Sequence, residues 1–99
     1  MDRLKIYASD IARLCKTHKV KSLYVFGSAL KDNFNKDSDI DMIVDFENIA
    51  VEDYANNYFN FKFALQDILD RPVDLLEEKA IKNPYFKKSI NQQRQLLYG

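Results

Sequence analysis

Three aspartates and one glycine-serine pair are the residues of this sequence whose types and spacing could do chemistry. Asp39-Ile40-Asp41 follows Gly27 by twelve residues. In an extended strand alternate residues share a face, so the two carboxylates stand ~6.8 Å apart at Cα, two steps of ~3.4 Å. Like charges this close repel and raise each other's pKa, a cost relieved by solvent or by a bound cation. Oxygen donors without nitrogen or sulfur select Mg²⁺ or Mn²⁺ over zinc. The third acid, Asp74, lies in the short apolar run Val73-Asp74-Leu75-Leu76, where a carboxylate on a core element needs a partner. If that run lies beside the Asp39 strand, the three acids can hold two metal ions ~3.5–4 Å apart, the spacing used in phosphoryl and nucleotidyl transfer. The bland reading leaves Asp39 and Asp41 on the wet face of an edge strand and Asp74 capping the following turn.

Gly27 is the one glycine before Gly99, and it directly follows a β-prone run. A strand entering Gly-Ser exposes backbone N–H groups and a hydroxyl with no blocking side chain, which suits the oxygens of a phosphate; an ordinary turn has the same look. A calcium loop is excluded. Asp37-x-Asp39-x-Asp41 opens like an EF-hand, but the sixth position is Met42 instead of Gly and the twelfth is Asn48 instead of Glu.

The elements that must position these residues follow from periodicity. Leu4, Tyr7, Ile11, Leu14 and His18 step by three and four, predicting a helix over 3–18 with Asp2 as N-cap. Residues 22–26 read as a short strand covered on both faces. A helical turn over 29–34 and a polar loop over 35–38 lead into 39–46, where Ile40, Met42, Val44 and Phe46 alternate with Asp39, Asp41, Ile43 and Asp45 as in a half-buried strand. Helix spacing returns over 51–69, Arg71-Pro72 breaks it, and 73–76 is a third strand. Asn83-Pro84 pairs an N-cap with proline at the first helical position, opening a helix that runs to about Leu97. The expected order is α-β-(α)-β-α-β-α: one α/β (α+β) domain over 1–99, a small mixed β-sheet flanked by helices.

Composition narrows the function. The chain has 99 residues, 46% of them hydrophobic, enough apolar surface to fold without staples, and equal numbers of bases and acids, 15 each. No global field gathers nucleic acid or an anionic membrane. The charge is segregated: residues 1–21 carry six bases against two acids, residues 32–53 eight acids against Lys36, and residues 77–99 five bases against two acids. An acidic focus between basic elements is expected where a cation and an anionic ligand share a site, or simply in a solvated acidic loop. One Cys, Cys15, and one His, His18, cannot build a disulfide framework, a Cys-rich zinc site or a multi-histidine metal centre, and they leave a His-based triad no spare parts. Both fall on or beside the helical stripe, as packing residues. No run reaches a membrane span and the first residues lack a signal-peptide core, so the expectation is a cytoplasmic protein. Tyr54, Tyr58, Phe59, Phe61 and Phe63 crowd ten positions, either as core or as a face for a partner or a second copy.

Gly27-Ser28, Asp39-Ile40-Asp41 and Val73-Asp74, with an initial helix before Leu23-Tyr24-Val25-Phe26 and a closing Leu-Leu-Tyr, together resemble the minimal nucleotidyltransferases of the DNA polymerase β-like superfamily over nearly the whole chain. The resemblance implies the nucleotidyltransferase fold and a two-metal reaction with ATP as substrate and Mg²⁺ (Mn²⁺ in its place) as cofactor. It also implies the roles: Gly27 and Ser28 on the β/γ phosphates, Asp39 and Asp41 on two divalent ions, and Asp74 on one ion and the attacking hydroxyl. Many members continue Gly-Ser with Arg-Ala-x-Gly, whereas this chain has Ala29-Leu30-Lys31-Asp32, leaving Lys31 as the substitute cation. Members this small are commonly antitoxins of HEPN-domain ribonuclease toxins, attaching AMP to a toxin tyrosine. A protein acceptor agrees with the absence of any basic channel for primer and template. The alternatives are a degenerate member that neutralises its partner by contact alone, and nucleotide transfer to a small molecule such as an aminoglycoside.

Overall fold

In the computed structural model, which describes residues 6–26 and 39–99, the strand-prone runs meet in a four-stranded sheet and the periodic runs become helices on its two faces. In chain order the elements are α1 (Ala8–Thr17), β1 (Val20–Phe26), β2 (Ile40–Phe46), α2 (Val51–Leu69), β3 (Val73–Glu77), a 3₁₀ turn (Glu78–Ala80), α3 (Pro84–Gln93) and β4 (Gln95–Tyr98). The sheet order is β3-β2-β1-β4. β1 runs antiparallel to both β2 and β4, whereas β2 and β3 are parallel, with α2 as their crossover.

One face of the sheet is the core. Val20, Leu23, Val25, Ile40, Met42, Val44, Phe46, Val73 and Leu75 are buried under Ile11 and Cys15 of α1 and Phe61, Leu65 and Leu69 of α2. Val20 joins Leu23 and Val25 on that face because the ladder slips between Val20 and Ser22. The αβ turn ahead of β1 uses Lys19 at φ 57°, and the Asn57 side-chain amide donates to the His18 carbonyl at 2.8 Å, pinning the turn to α2. Among the described residues no helix is long and apolar enough to cross a membrane.

Helix α2 spans the residues its periodicity predicts. Three other expectations need correction. Among the described residues the first helix begins at Ala8, with Ile6 and Tyr7 in a turn; the Tyr7 side chain makes no capping hydrogen bond, and Asp2, the expected cap, lies outside the described residues. The strand expected to be half-buried carries Ile43 at 1% exposure, because α3 crosses the outer face of the sheet and sets Ile90, itself 3% exposed, on that side. The closing helix stops at Gln93. Asn83 does cap it, accepting from the Tyr85 and Phe86 amides at 2.9 and 3.2 Å, but Arg94 turns extended (ψ 148°) and Gln95–Tyr98 pair with β1. A helix through Leu97 would leave β1 an unpaired edge; the ladder bonds outweigh the helix propensity of four residues. Arg94 holds the switch, its guanidinium 3.9 Å above the Tyr24 ring and paired with Glu78 at 2.6 Å.

The order among the described residues is therefore α-β-β-α-β-α-β, a mixed α/β sheet with helices on both faces. The helical turn expected over 29–34 lies outside the described residues.

Candidate active site

Strand pairing decides which acids meet. In the parallel register of β2 and β3, Asp41 stands directly opposite Asp74, on neighbouring strands ~4.8 Å apart. Paired residues point to the same side, so both carboxylates leave the outer face of the sheet, away from the core. Asp39 precedes Asp41 by two residues on that same face. On the other flank of β2 the antiparallel register sets Phe26 against Asp41. The chain thus enters Gly27-Ser28 from the residue beside Asp41. Gly27, Ser28 and Lys31, the expected nucleotide-binding residues, lie outside the described residues.

Burial and charge act on this group unequally. Asp39 and Asp74 are exposed; Asp41, between them, is half-buried. The Asp41 carboxyl is held above the usual carboxylate range by desolvation first, then by the charges of Asp74 and Asp39, and by a side-chain hydrogen bond with Asp74. Among the described residues no three His, Cys, Asp or Glu side chains converge tightly enough to hold a metal ion as they stand. Asp41 and Asp74 meet; Asp39 acts on the pair at electrostatic range.

A second polar group occupies the far ends of β2 and β3, roughly 13 Å along the strand from Asp41. There a cavity of about 150 Å³ is lined by Asp45, Phe46, Tyr54, Glu77 and Lys79 among others. Its groups are already engaged. Tyr54 donates to the Glu77 carboxylate, and Lys79 Nζ stands 3.4 Å from Asp45 Oδ1, an ion pair without hydrogen-bond geometry.

The aromatic run of α2 divides. Phe61 is fully buried, and Tyr54 and Tyr58 are half-buried with their hydroxyls donating to Glu77 and to the Leu75 carbonyl (2.6 Å). Phe59 and Phe63 face solvent, stacked with ring centroids 6.0 Å apart. Cys15 packs in the core, where burial pushes its thiol up to about 12; His18 Nδ1 bonds the Leu14 carbonyl at 2.8 Å and its ring meets Phe61. Neither belongs to the acid group. The neighbours that sequence reasoning did not supply are Phe26 beside Asp41 and Arg94 over Tyr24. Both follow from strand register, for which a single sequence carries little signal.

Comparison with known proteins bears on the family and the fold. Residues 9–97 match the family model described as nucleotidyltransferase domain. The chain is 42% identical over 79 residues to the "putative protein adenylyltransferase MJ0128" of Methanocaldococcus jannaschii, covering 80% of this chain and 78% of that one. It is 39% identical over 75 residues to "putative protein adenylyltransferase MJ1379" of the same organism, covering 76% and 74%. A solved structure described as a "putative minimal nucleotidyltransferase" superposes with a TM-score of 0.77 at 24% identity over 95% of this chain and 92% of that one. A complex described as tri-AMPylated Shewanella oneidensis HEPN toxin with MNT antitoxin matches with a TM-score of 0.65 at 21% identity, over 96% and 71%. At these identities the solved structures establish the fold.

Proposed function

The chain belongs to the nucleotidyltransferase-domain family, and from that premise we propose that it is a Mg²⁺-dependent protein adenylyltransferase, moving AMP from ATP to a tyrosine hydroxyl of a HEPN-type toxin and so acting as its antitoxin. The observation that carries the reading is the register pairing Asp41 with Asp74 on the sheet's outer face. The relatives support the acceptor class, since two of them bear the name "putative protein adenylyltransferase" and a structural neighbour is an AMPylated HEPN toxin with MNT antitoxin.

The donor set fits a hard divalent cation. All its ligand atoms are carboxylate oxygens; the proton affinity of Asp41 is raised by desolvation first and then by the charges of Asp74 and Asp39, and that second part is the repulsion a dication relieves. When bound, Mg²⁺ neutralises the phosphate oxygens and polarises the α-phosphoryl group. Asp39 and Asp41 would hold the two ions, with Asp74 a further ligand to one of them. Gly27 and Ser28 would offer backbone N–H groups to the β and γ phosphates, and Lys31 a cation. Asp74 would orient the acceptor hydroxyl and take its proton as the hydroxyl oxygen bonds to the α-phosphorus. The bond from that phosphorus to the bridging oxygen breaks and pyrophosphate leaves. Positioning and charge compensation carry the rate.

The test uses labelled ATP, Mg²⁺ and the product of the adjacent gene. Label should pass to that protein and be lost with Asp39→Asn plus Asp41→Asn; transfer that survives the double substitution refutes the assignment. A second reading, a binding module that silences its partner by contact, draws support from the absence of a closed three-carboxylate site among the described residues and from Ala29 where many relatives carry Arg. It requires that ATP binding show no dependence on Mg²⁺.

A further inference from the structure

Two helices of this chain carry charges that oppose their own dipoles, and each has what the other lacks. At the C-terminal end of α2, where a helix favours bases, Asp67 and Asp70 are exposed and the last turn holds no base. Toward the N-terminal end of α3, where a helix favours acids, stand Lys82, Lys87 and Lys88, all exposed, and the first turn holds no acid. None of these five forms an ion pair with another described residue. Each cluster adjoins exposed aromatic surface. On α2, Val51, Ala55, Phe59 and Phe63 follow one another at four-residue steps along one side, the next step being Asp67; Phe59 and Phe63 are 48% and 53% exposed. On α3, Tyr85 and Phe86 are 85% and 44% exposed. Intrachain packing accounts for neither set: the buried residues of α2 are Phe61, Leu65 and Leu69, and that of α3 is Ile90.

We infer that the C-terminal half of α2 is a docking face for the N-terminal half of α3 of a second copy. Phe59 and Phe63 lie against Tyr85 and Phe86, with Asp67 and Asp70 paired to the lysines. Charge complementarity selects this occupant, because α3 presents the basic, aromatic surface that the α2 stripe fits. The two helices cover opposite faces of the sheet, so the contact is head-to-tail and leaves one free face on each end copy. Association should then grow in steps with concentration. The apolar contact is small beside the ~800 Å² per partner of a stable interface, so it is weak and weakens further with salt.

The experiment is sedimentation velocity on the full chain from low-micromolar to millimolar concentration, at low and high salt. Wild type should show a weight-average mass that climbs with concentration and falls back toward monomer in high salt. Lys87→Glu plus Lys88→Glu makes both faces acidic, and Asp67→Lys plus Asp70→Lys makes both basic. Each variant alone should associate at least tenfold more weakly, and an equimolar mixture should regain association, since opposite faces again meet. All the positions are exposed, and circular dichroism checks that both variants fold. A wild type that stays monomeric throughout, variants that associate as it does, or a mixture that does not regain association would overturn the inference. So would a monomeric chain whose α2 stripe instead captures a heterologous partner.

Discussion

Replacing Asp41 by asparagine should make the ligand-free protein more stable while removing its capacity for transfer. Asp41 and Asp74 face each other across two parallel strands, with Asp39 nearby. Two unit charges ~5 Å apart repel by ~0.8 kcal/mol at the dielectric of water and by ~3 kcal/mol at an effective dielectric of ~20. Asp41 is half-buried and Asp74 exposed, so solvent screening places the effect near the lower figure, about 1 kcal/mol, in keeping with like charges on facing strand positions. For a domain of this size that is ~4–8 °C in melting temperature. The pH dependence has a definite sign. The folded-state pKa of Asp41 lies above its unfolded value, so between the two the folded chain holds more protons and stability falls as pH rises. Below the ordinary carboxylate range the cost is absent; above the raised value it is complete. Asp41→Asn should therefore melt several degrees higher than wild type at pH 7 and at the same temperature in acid below that range. Scanning calorimetry across pH measures both. Mg²⁺ with ATP should reverse the order, raising the wild-type transition through ligand linkage and leaving the variant unmoved. A variant less stable at pH 7, or equally stabilised at every pH, would refute the reasoning.

Other outcomes follow from the packing. Phe61→Ala empties a fully buried ring site and should cost ~3–5 kcal/mol in denaturant unfolding. Tyr54→Phe removes the donor to Glu77 and should cost about 1–2 kcal/mol by the same measurement, less than loss of a fully desolvated charged bond. Asn83→Ala deletes the oxygen that caps two amides of α3 and should cost ~1 kcal/mol. Cys15, fully buried with its thiol pushed up to about 12, should resist a thiol-labelling reagent at pH 8 in the native state and react promptly in denaturant.

What was legible in the sequence was periodic. The stripe from Val51 to Leu69 and the alternation from Ile40 to Phe46 survive in the structure because burial on the core face enforces those periods. Ile43 breaks the alternation's simple reading: it sits among acids in sequence, yet α3 covers it, and no local pattern announces a helix arriving from forty residues away. The same limit applies to β4. Gln95-Leu96-Leu97-Tyr98 continues a helical pattern by composition, and only the unpaired edge of β1 turns it into a strand. The candidate acids were named from residue type and spacing, and their meeting was conditional on two strands being neighbours. Register supplies that condition, pairing Asp41 with Asp74. The aromatic run of α2 divides where the sequence alone does not say: Phe61 went to the core, while Phe59 and Phe63 stayed outside.

Whether carboxylates from β2 and β3 hold a divalent ion between them is read directly by electron paramagnetic resonance of Mn²⁺ titrated into the protein with a non-hydrolysable ATP analogue. Wild type should capture the ion, and Asp41→Asn and Asp74→Asn should each weaken its capture at least tenfold. Capture by Asp74→Asn as tight as by wild type would contradict a site shared between the two strands.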